Sequence, residues 1–391
     1  MGAKLPQGML LNGDPGLGKT LMAKCLIEES GLKAYTVRRN KGKDNFVSEI
    51  TNAFEEAKKN APSIVFLDDM DKFANEDDRH RDAEEYVAVQ AGIDDIKGNN
   101  VFVIATVNNK RKLPDSLVRL GRFDRQIDIE RPSESDALKI IEHYLSDKKL
   151  AEDFSLEDLS KMISFGSCAK LETILNEAAI NAAYARKDKI EMTDLVEAAL
   201  RTEYDSPNSY TKLPEDELRR VALHEAGHLV VCESICPGSV GLASIKTSTK
   251  NGFIHRCSDS LSDIDDIKVL LAGKVATELY YADTYPGGCR EDIRRAYSRI
   301  RSLISNEASC GYGMVDVSNF NFPNGSDDMN ARNEAVTQAK LERYSMETRN
   351  ILIENREFLE KVTDALVEKE TLLYSDIQKI KEECKTLKKA S

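Results

Sequence analysis

The segment HEAGH, residues 224–228, contains the residue types of a metal-dependent hydrolytic site. Helix positions four residues apart lie on one face, so His224 and His228 could both bind one Zn²⁺. Glu225 could act as the general base that takes a proton from metal-bound water. The chain has only five histidines, which makes this spacing an improbable accident. We predict a helix from about Glu215 to Cys232 around it; a purely structural buried helix is the alternative.

A catalytic zinc site needs a third protein ligand and an open position for water. The sequence offers several carboxylates after the HEAGH segment. We predict Asp292, in GGCREDIRRA, and keep Glu291 and Glu278 as alternatives. Cys289 is a conceivable soft ligand, although a thiol in this chain is more often a core residue.

A second candidate site is the segment GDPGLGKT, which matches the phosphate-loop pattern G-x-x-x-x-G-K-[ST] at every fixed position. It follows an apolar strand and precedes a helix that begins near Leu21. Its glycines let backbone N–H groups and the helix N-terminus face a polyphosphate. Lys19 would reach the outer phosphates of ATP, and Thr20 would ligate Mg²⁺. The predicted nucleotide-binding residues of this loop are Gly13, Asp14, Pro15, Gly16, Leu17, Gly18, Lys19 and Thr20.

Polar side chains also follow two apolar runs that are predicted to be strands of the same sheet. Residues 64–67 lead into Asp68, which could hold Mg²⁺, and Asp69, which could orient the attacking water. Residues 101–106 lead towards Asn108, which could position that water. Because the carboxyl ends of parallel strands meet at one edge of a sheet, we expect these side chains to lie near the phosphate loop.

Two arginines in RLGRFDR, Arg119 and Arg122, are a further candidate feature of the nucleotide site. Fixed cations of this kind are supplied in trans to stabilise charge on a transferring phosphoryl group. A surface salt-bridge cluster with Asp124 is the alternative.

The elements that must position these residues divide into three segments. Residues 1–132 alternate short β-rich runs with helical stretches, as a parallel α/β sheet requires. Residues 133–203 are predicted to form a small helical domain, because apolar residues recur at helical spacing. Turn-forming residues cluster over 204–212, and residues 204–391 are predicted to be a mainly α-helical domain with the metal site.

Composition and charge restrict the partners and the compartment. The formal net charge of −12 argues against a nucleic-acid partner. Eight cysteines without a CxxC pair indicate reduced thiols, and no apolar run approaches the roughly 18 residues that span a bilayer. As given, the chain is predicted to be cytoplasmic. Because the first strand begins almost at Met1, we expect part of a domain upstream, and a hydrophobic segment there would attach the protein to a membrane.

Together these motifs resemble the FtsH-type AAA metalloproteases over about residues 2–380. GAKLPQGMLLNGDPGLGKT resembles the family's lead into its phosphate loop, GRFDR its arginine-finger segment, and HEAGH with LAGKVATEL and EDIRRA its peptidase. The resemblance implies an N-terminally incomplete α/β AAA ATPase core, a helical lid and a zinc metallopeptidase domain. It also implies Asp292 as the third zinc ligand, Arg119 and Arg122 acting across subunits, and a homo-hexamer that unfolds and degrades protein substrates.

The sequence departs from the family pattern at three places. Asp69 replaces the usual Glu and is shorter by one methylene, which predicts slow ATP hydrolysis. RRNKGKDNF, residues 38–46, replaces an aromatic-glycine pore loop. Its basic side chains could attract acidic segments, and a solvated loop is the alternative. Phe46 is expected in the core, with a displaced substrate grip as the alternative. FGSCAKL, residues 165–171, replaces a Gly-Ala-Asp pattern near the nucleotide.

Two functions follow from these observations. The first is an ATP-dependent zinc metalloendopeptidase, in which NGFIH, residues 251–255, could be an edge strand that pairs with substrate backbone. The alternative is an AAA remodelling chaperone with weak or lapsed proteolysis. Asp69 and the altered pore segment favour the chaperone, whereas the intact HEAGH segment disfavours it.

Overall fold

The computed structural model describes most of the chain in two compact units. The described residues are 6–39, 45–74, 83–119, 121–163, 167–204, 213–246, 252–257, 261–281, 286–305 and 327–384. The first unit comprises Met1–Ser133 with Gly166–Leu171, and the second comprises Glu134–Phe165 with Glu172–Ser391. The division into three domains at residues 132 and 203 stays a prediction. Most of the segment placed at the second boundary, residues 205–212, lies outside the described residues.

The first unit contains a parallel sheet of five strands in the order β2-β3-β4-β1-β5. Its elements are β1 (Gly8–Asn12), α1 (Lys19–Ser30), β2 (Lys33–Arg38), α2 (Phe46–Lys59), β3 (Ser63–Asp68), α3 (Glu84–Asp95), β4 (Val101–Val107) and β5 (Arg125–Asp128). The predicted α/β parallel-sheet class is confirmed. Strand β2 was not among the predicted β-rich runs, because it is an edge strand with charged residues at both ends.

The two faces of this sheet bury separate apolar clusters. On one face, Ile50 and Phe54 of α2 pack against Val65 and Val103. On the other face, Ala23 of α1 joins Leu11, Phe66 and Ile104. Burial of each large apolar side chain contributes about 1.5–3 kcal/mol. Because these strands pair in parallel, the carboxyl ends of β1, β2, β3 and β4 lie along one edge of the sheet.

The second unit is mainly helical and contains a small antiparallel sheet in the order β7-β6-β8. Its elements are α4 (Glu134–Leu145), α5 (Leu156–Met162), α6 (Cys168–Tyr184), which begins in the first unit, α7 (Met192–Tyr204), α8 (Glu215–Ile235), β6 (Val240–Ser244), β7 (Phe253–Arg256), α9 (Asp263–Tyr280), α10 (Pro286–Ser305), α11 (Asp327–Glu354), α12 (Arg356–Lys369), β8 (Thr371–Leu373) and α13 (Tyr374–Glu383). Among the described helices, none combines the length and the apolar character that crossing a membrane requires.

Helix α8 carries the HEAGH segment through the core of the second unit. The helix ends at Ile235, three residues beyond the predicted Cys232. The acidic residues of its first turn interact favourably with the partial positive charge at the helix N-terminus. Two glycines let α8 and α9 approach closely. A Cβ on Gly227 would lie 2.6 Å from the Ala272 carbonyl oxygen, and one on Gly273 would lie 2.4 Å from the His224 ring. The HEAGH side chains are therefore held by close helix packing.

Candidate functional site

Three potential metal ligands converge between helices α8 and α10. His224 Nε2 lies 3.0 Å from His228 Nε2 and 3.2 Å from Asp292 Oδ2, and His228 Nε2 lies 3.4 Å from the same oxygen. Zinc–ligand bonds of about 2.0–2.1 Å in a tetrahedron require ligand atoms about 3.3 Å apart. The observed separations therefore fit Zn²⁺ and bring together the three residues predicted as ligands.

The other two carboxylates considered as third ligands have cationic partners instead. Glu291 is exposed and pairs with Arg294, whose Nε lies 3.0 Å from Glu291 Oε2. Glu278 pairs with Lys274 and also accepts a 3.2 Å hydrogen bond from Arg349. Neither belongs to the cluster of ligand atoms found among the described residues.

The remaining ring nitrogens of the two histidines have partners that fix their orientation. His228 Nδ1 lies 2.6 Å from the Val269 carbonyl oxygen, which leaves Nε2 free for a metal. His224 Nδ1 lies 3.8 Å from Cys289 Sγ, so the thiol is on the side of the ring opposite to the ligand cluster. Burial raises the pKa of Cys289 to about 11. Cys289 is thus a buried, protonated thiol beside the site.

The charges in the cluster favour a bound cation. Burial opposes ionisation of Asp292, yet hydrogen bonds from His224 and His228 hold its pKa well below the ordinary value. Burial likewise opposes protonation of His228, but the hydrogen bond and charge of Asp292 outweigh it and raise the pKa of His228 to about 9. A proton and Zn²⁺ therefore compete for the same imidazole nitrogen.

Glu225 is enclosed beside this cluster. It is 4% exposed, and burial raises its pKa, an effect that the charges of His224 and His228 oppose. A Cβ on Gly252 would lie 2.2 Å from Glu225 Cγ, so only glycine lets the chain before β7 pass the carboxylate. A raised pKa suits a group that accepts a proton from water near neutral pH.

A cleft of 450 Å³ opens onto these residues. One wall is formed by Phe253 and Ile254 of β7, which is an edge strand of its sheet. The edge of β7 that faces away from β6 carries backbone groups with no partner strand within the described sheet. This arrangement can present an extended peptide to the cleft by strand addition.

The phosphate loop of the first unit has the backbone that its glycines predict. Gly16 and Gly18 have φ angles of 79° and 82°, in the left-handed region that favours glycine. A Cβ on Gly16 would lie 2.6 Å from Ser167 Cβ, so the start of α6 lies against the loop. Of the FGSCAKL segment, residues 165 and 166 lie outside the described residues.

Of the two functional side chains predicted in the loop, Thr20 faces the predicted Mg²⁺ ligand Asp68, whereas Lys19 binds carbonyl oxygens of the loop itself. Lys19 Nζ donates to the carbonyl oxygens of Gly13 at 2.8 Å and Asp14 at 2.6 Å, and burial lowers its pKa against the opposing charges of nearby aspartates. Thr20 Oγ1 donates a 2.8 Å hydrogen bond to Asp68 Oδ1. Hydroxyl and carboxylate oxygens are ligands that Mg²⁺ prefers, so this pair fits the ion.

Thr106 links the two aspartates and was not identified from the sequence. Its Oγ1 donates to Asp68 Oδ1 at 2.8 Å and accepts from the Asp69 backbone N–H at 2.9 Å. The available signal was one hydroxyl near the end of the apolar run VFVIATV. Asn108 Nδ2 approaches Asp69 Oδ1 at 3.4 Å, which places the predicted water-positioning pair together.

The two candidate finger arginines have different surroundings. Arg122 pairs with Asp94 at 2.7 Å and also donates to the Ser116 carbonyl oxygen. Its partner is therefore Asp94. The salt-bridge alternative had named Asp124 instead. Arg119 is exposed and has no polar partner among the described residues. A role in trans stays a prediction for both.

Comparison with known proteins identifies the family. Residues 9–131 match the ATPase family associated with various cellular activities (AAA). The chain is 30% identical over 408 residues to the ATP-dependent zinc metalloprotease FtsH of Leptotrichia buccalis, an alignment that covers 97% of this chain and 53% of the relative. It is 31% identical to FtsH 3 of Symbiobacterium thermophilum and 30% identical to FtsH of Thermus thermophilus, with 98% of this chain and 66% of each relative covered.

The chain belongs to the FtsH-type AAA proteases. It spans between about half and two thirds of the length of these relatives. In the segment RRNKGKDNF, the described residues are 38, 39, 45 and 46. Phe46 is 5% exposed and packs edge-on against Phe73 at 4.9 Å, so it is a core residue. Arg39 pairs with Glu85 at 2.8 Å; residues 40–44 lie outside the described residues.

Asp69 stands at the position of the usual FtsH-type Glu, and lengthening it tests whether the shorter side chain slows ATP hydrolysis. Lys72 holds its carboxylate at 2.9 Å, and its backbone is left-handed with φ 55°. A misplacement of about 1 Å can cost about 10²-fold in rate. We therefore expect Asp69→Glu to accelerate ATP hydrolysis about ten- to a hundredfold, measured as phosphate release from purified protein.

Asp71→Glu is the matched control, since it lengthens a neighbouring carboxylate that accepts from the Asn108 backbone. An unchanged rate for Asp69→Glu would show that the shorter side chain does not limit turnover.

Proposed function

We propose that this chain is an ATP-dependent zinc metalloendopeptidase that uses ATP hydrolysis to unfold and degrade protein substrates. The observation that carries the proposal is the convergence of His224, His228 and Asp292 at zinc-ligand separations beside the buried Glu225. The proposed cofactors are Zn²⁺, ATP and Mg²⁺, and the relatives are named as ATP-dependent zinc metalloproteases.

The peptidase residues have separate roles in this proposal. Zn²⁺ held by His224, His228 and Asp292 would polarise the peptide carbonyl and lower the pKa of bound water. Glu225 would accept the proton of the attacking water and deliver it to the leaving amine. Strand β7 aligns the substrate backbone along the cleft through main-chain hydrogen bonds.

The motor residues act on the nucleotide. The backbone of residues 13–20 and Lys19 bind the phosphates, and Thr20 and Asp68 hold Mg²⁺. Asp69 and Asn108 orient the attacking water. We further propose a homo-hexamer in which Arg119 and Arg122 reach the nucleotide of the neighbouring subunit; the exposure of Arg119 supports this role, whereas Arg122 would have to leave Asp94.

A cytoplasmic location and the absence of a nucleic-acid partner complete the proposal. The described cysteines, seven of the chain's eight, are free thiols, as is typical of a reducing compartment. The net charge of −12 disfavours binding to a phosphate backbone.

Degradation of an unfolded protein with different nucleotides tests the proposal. We expect purified protein to degrade fluorescent casein with Mg-ATP and much less with ADP. Lys19→Ala is expected to remove the ATP dependence, because the substitution removes the ammonium group that binds the phosphates of ATP. Lys24→Ala, at an exposed lysine of the same helix, is the matched control.

A remodelling chaperone is the second candidate, favoured by Asp69 and by the altered pore segment. It predicts ATP-dependent unfolding of a fluorescent reporter without cleavage. Cleavage that is independent of nucleotide would contradict both proposals.

A further inference from the structure

Arg38 is a cation beside the nucleotide site that neither the phosphate-loop pattern nor the finger segment includes. It is the last residue of β2, and the parallel register pairs Arg38 directly with Asp68 of β3. Paired residues of adjacent parallel strands project from the same face about 4.8 Å apart. The register therefore places a guanidinium at the edge of the sheet where the predicted Mg²⁺ ligands lie.

The guanidinium approaches both acidic side chains but hydrogen-bonds to neither. Arg38 Nη1 lies 3.6 Å from Asp68 Oδ2, and Nη2 lies 3.5 Å from Asp69 Oδ2. Both distances exceed the 2.7–3.2 Å of an N–H···O hydrogen bond. Among the described residues no other polar group pairs with this guanidinium. Its N–H donors thus remain available to another acceptor.

The partners of Asp68 explain why Arg38 can change acceptors. Thr20 and Thr106 both donate to Asp68 Oδ1, and Asp68 Oδ2 faces Arg38. Mg²⁺ at Asp68 would neutralise the carboxylate that now attracts the arginine. The guanidinium fork matches the geometry of a phosphate group, and the Arg38 side chain is 59% exposed, so it has freedom to reorient.

We propose that Arg38 contacts the terminal phosphate of ATP from within the same chain and thereby lets the site distinguish ATP from ADP. The inference rests on the proposed ATPase function and adds a phosphate-contacting residue to it. The alternative is an ion pair in which Arg38 only balances the charge of the buried Asp68 and the partly buried Asp69. The two explanations differ in what they predict for ATP and ADP separately.

The test measures the Kd of Mg-ADP and of a non-hydrolysable Mg-ATP analogue by calorimetry. Arg38→Gln is expected to weaken analogue binding about ten- to a hundredfold, the typical value of a hydrogen-bonded charge contact, and to leave ADP binding unchanged. Arg38→Lys keeps the positive charge but not the planar guanidinium fork, so its affinity for the ATP analogue should lie between those of wild type and Arg38→Gln. Arg39→Gln is the matched control, because Arg39 pairs with Glu85.

Each outcome decides between the explanations. Equal affinities in wild type and Arg38→Gln, or an equal loss for both nucleotides, would overturn the inference while leaving the ATPase proposal intact. A wild-type protein that binds neither nucleotide would overturn both. Unchanged ADP affinity in the variant also demonstrates that the site remains folded.

Discussion

Glu225→Gln is expected to reduce casein cleavage about 10²- to 10⁴-fold while zinc content and ATP hydrolysis stay at wild-type levels. That range is typical for the loss of a positioned general base. Glutamine preserves the size of the side chain, which matters because Gly252 packs directly against it. The glutamine side chain cannot accept the proton. Residue 225 lies outside the cluster of His224, His228 and Asp292.

The measurement combines initial cleavage rates with zinc analysis and phosphate release on the same preparation. Glu215→Gln is a matched control, because this residue lies in the first turn of the same helix and is exposed. Wild-type cleavage by Glu225→Gln would remove the proposed base from the mechanism. Loss of zinc from the variant would instead assign Glu225 a structural role.

Asp292→Asn is expected to weaken zinc binding by more than about a hundredfold, since even the loss of an outer partner of a metal ligand typically costs 10- to 100-fold. The substitution removes the negative charge that lies 3.2 and 3.4 Å from the two histidine nitrogens. Without it, two buried imidazoles must hold a divalent cation with no anionic ligand. Cleavage should fall in parallel with zinc occupancy.

Competition with a chromogenic chelator measures this affinity directly. Glu291→Gln is the control one position earlier, and its pairing with Arg294 predicts wild-type zinc affinity. The opposite result, with zinc lost from Glu291→Gln and retained by Asp292→Asn, would assign the third ligand to Glu291.

The local parts of both sites were predictable because their chemistry repeats at fixed spacing. Two histidines one helical turn apart define a metal face wherever the helix lies. The pattern G-x-x-x-x-G-K-[ST] likewise defines its own loop. Helix α8 and strands β3 and β4 lie close to their predicted limits, at Glu215–Ile235, Ser63–Asp68 and Val101–Val107.

The remaining features depend on contacts between distant segments. The sequence favours Asp292 as the third ligand but leaves Glu291 and Glu278 as alternatives, because spacing alone does not show which carboxylate packs against the two histidines; the packing of α10 brings Asp292 to them. Arg38 reaches Asp68 through strand register, which no local pattern reports.

Local sequence patterns also do not predict the edge strand β2 or the partner of Arg122. Strand β2 has charged residues at both ends and one unpaired side, so its periodicity is weak. Arg122 lies two residues from Asp124, yet its partner is Asp94, 28 residues away along the chain. Proximity in sequence is a poor guide to salt bridges because side-chain reach spans several neighbouring elements.

X-ray absorption at the zinc edge, combined with elemental analysis of the folded chain, measures whether His224, His228 and Asp292 hold a metal ion. We expect one zinc per chain with nitrogen and oxygen ligands at about 2.0–2.2 Å and no sulfur at about 2.3 Å. Protein that folds without zinc even when the metal is supplied, or a sulfur ligand from Cys289, would contradict the proposed metal centre.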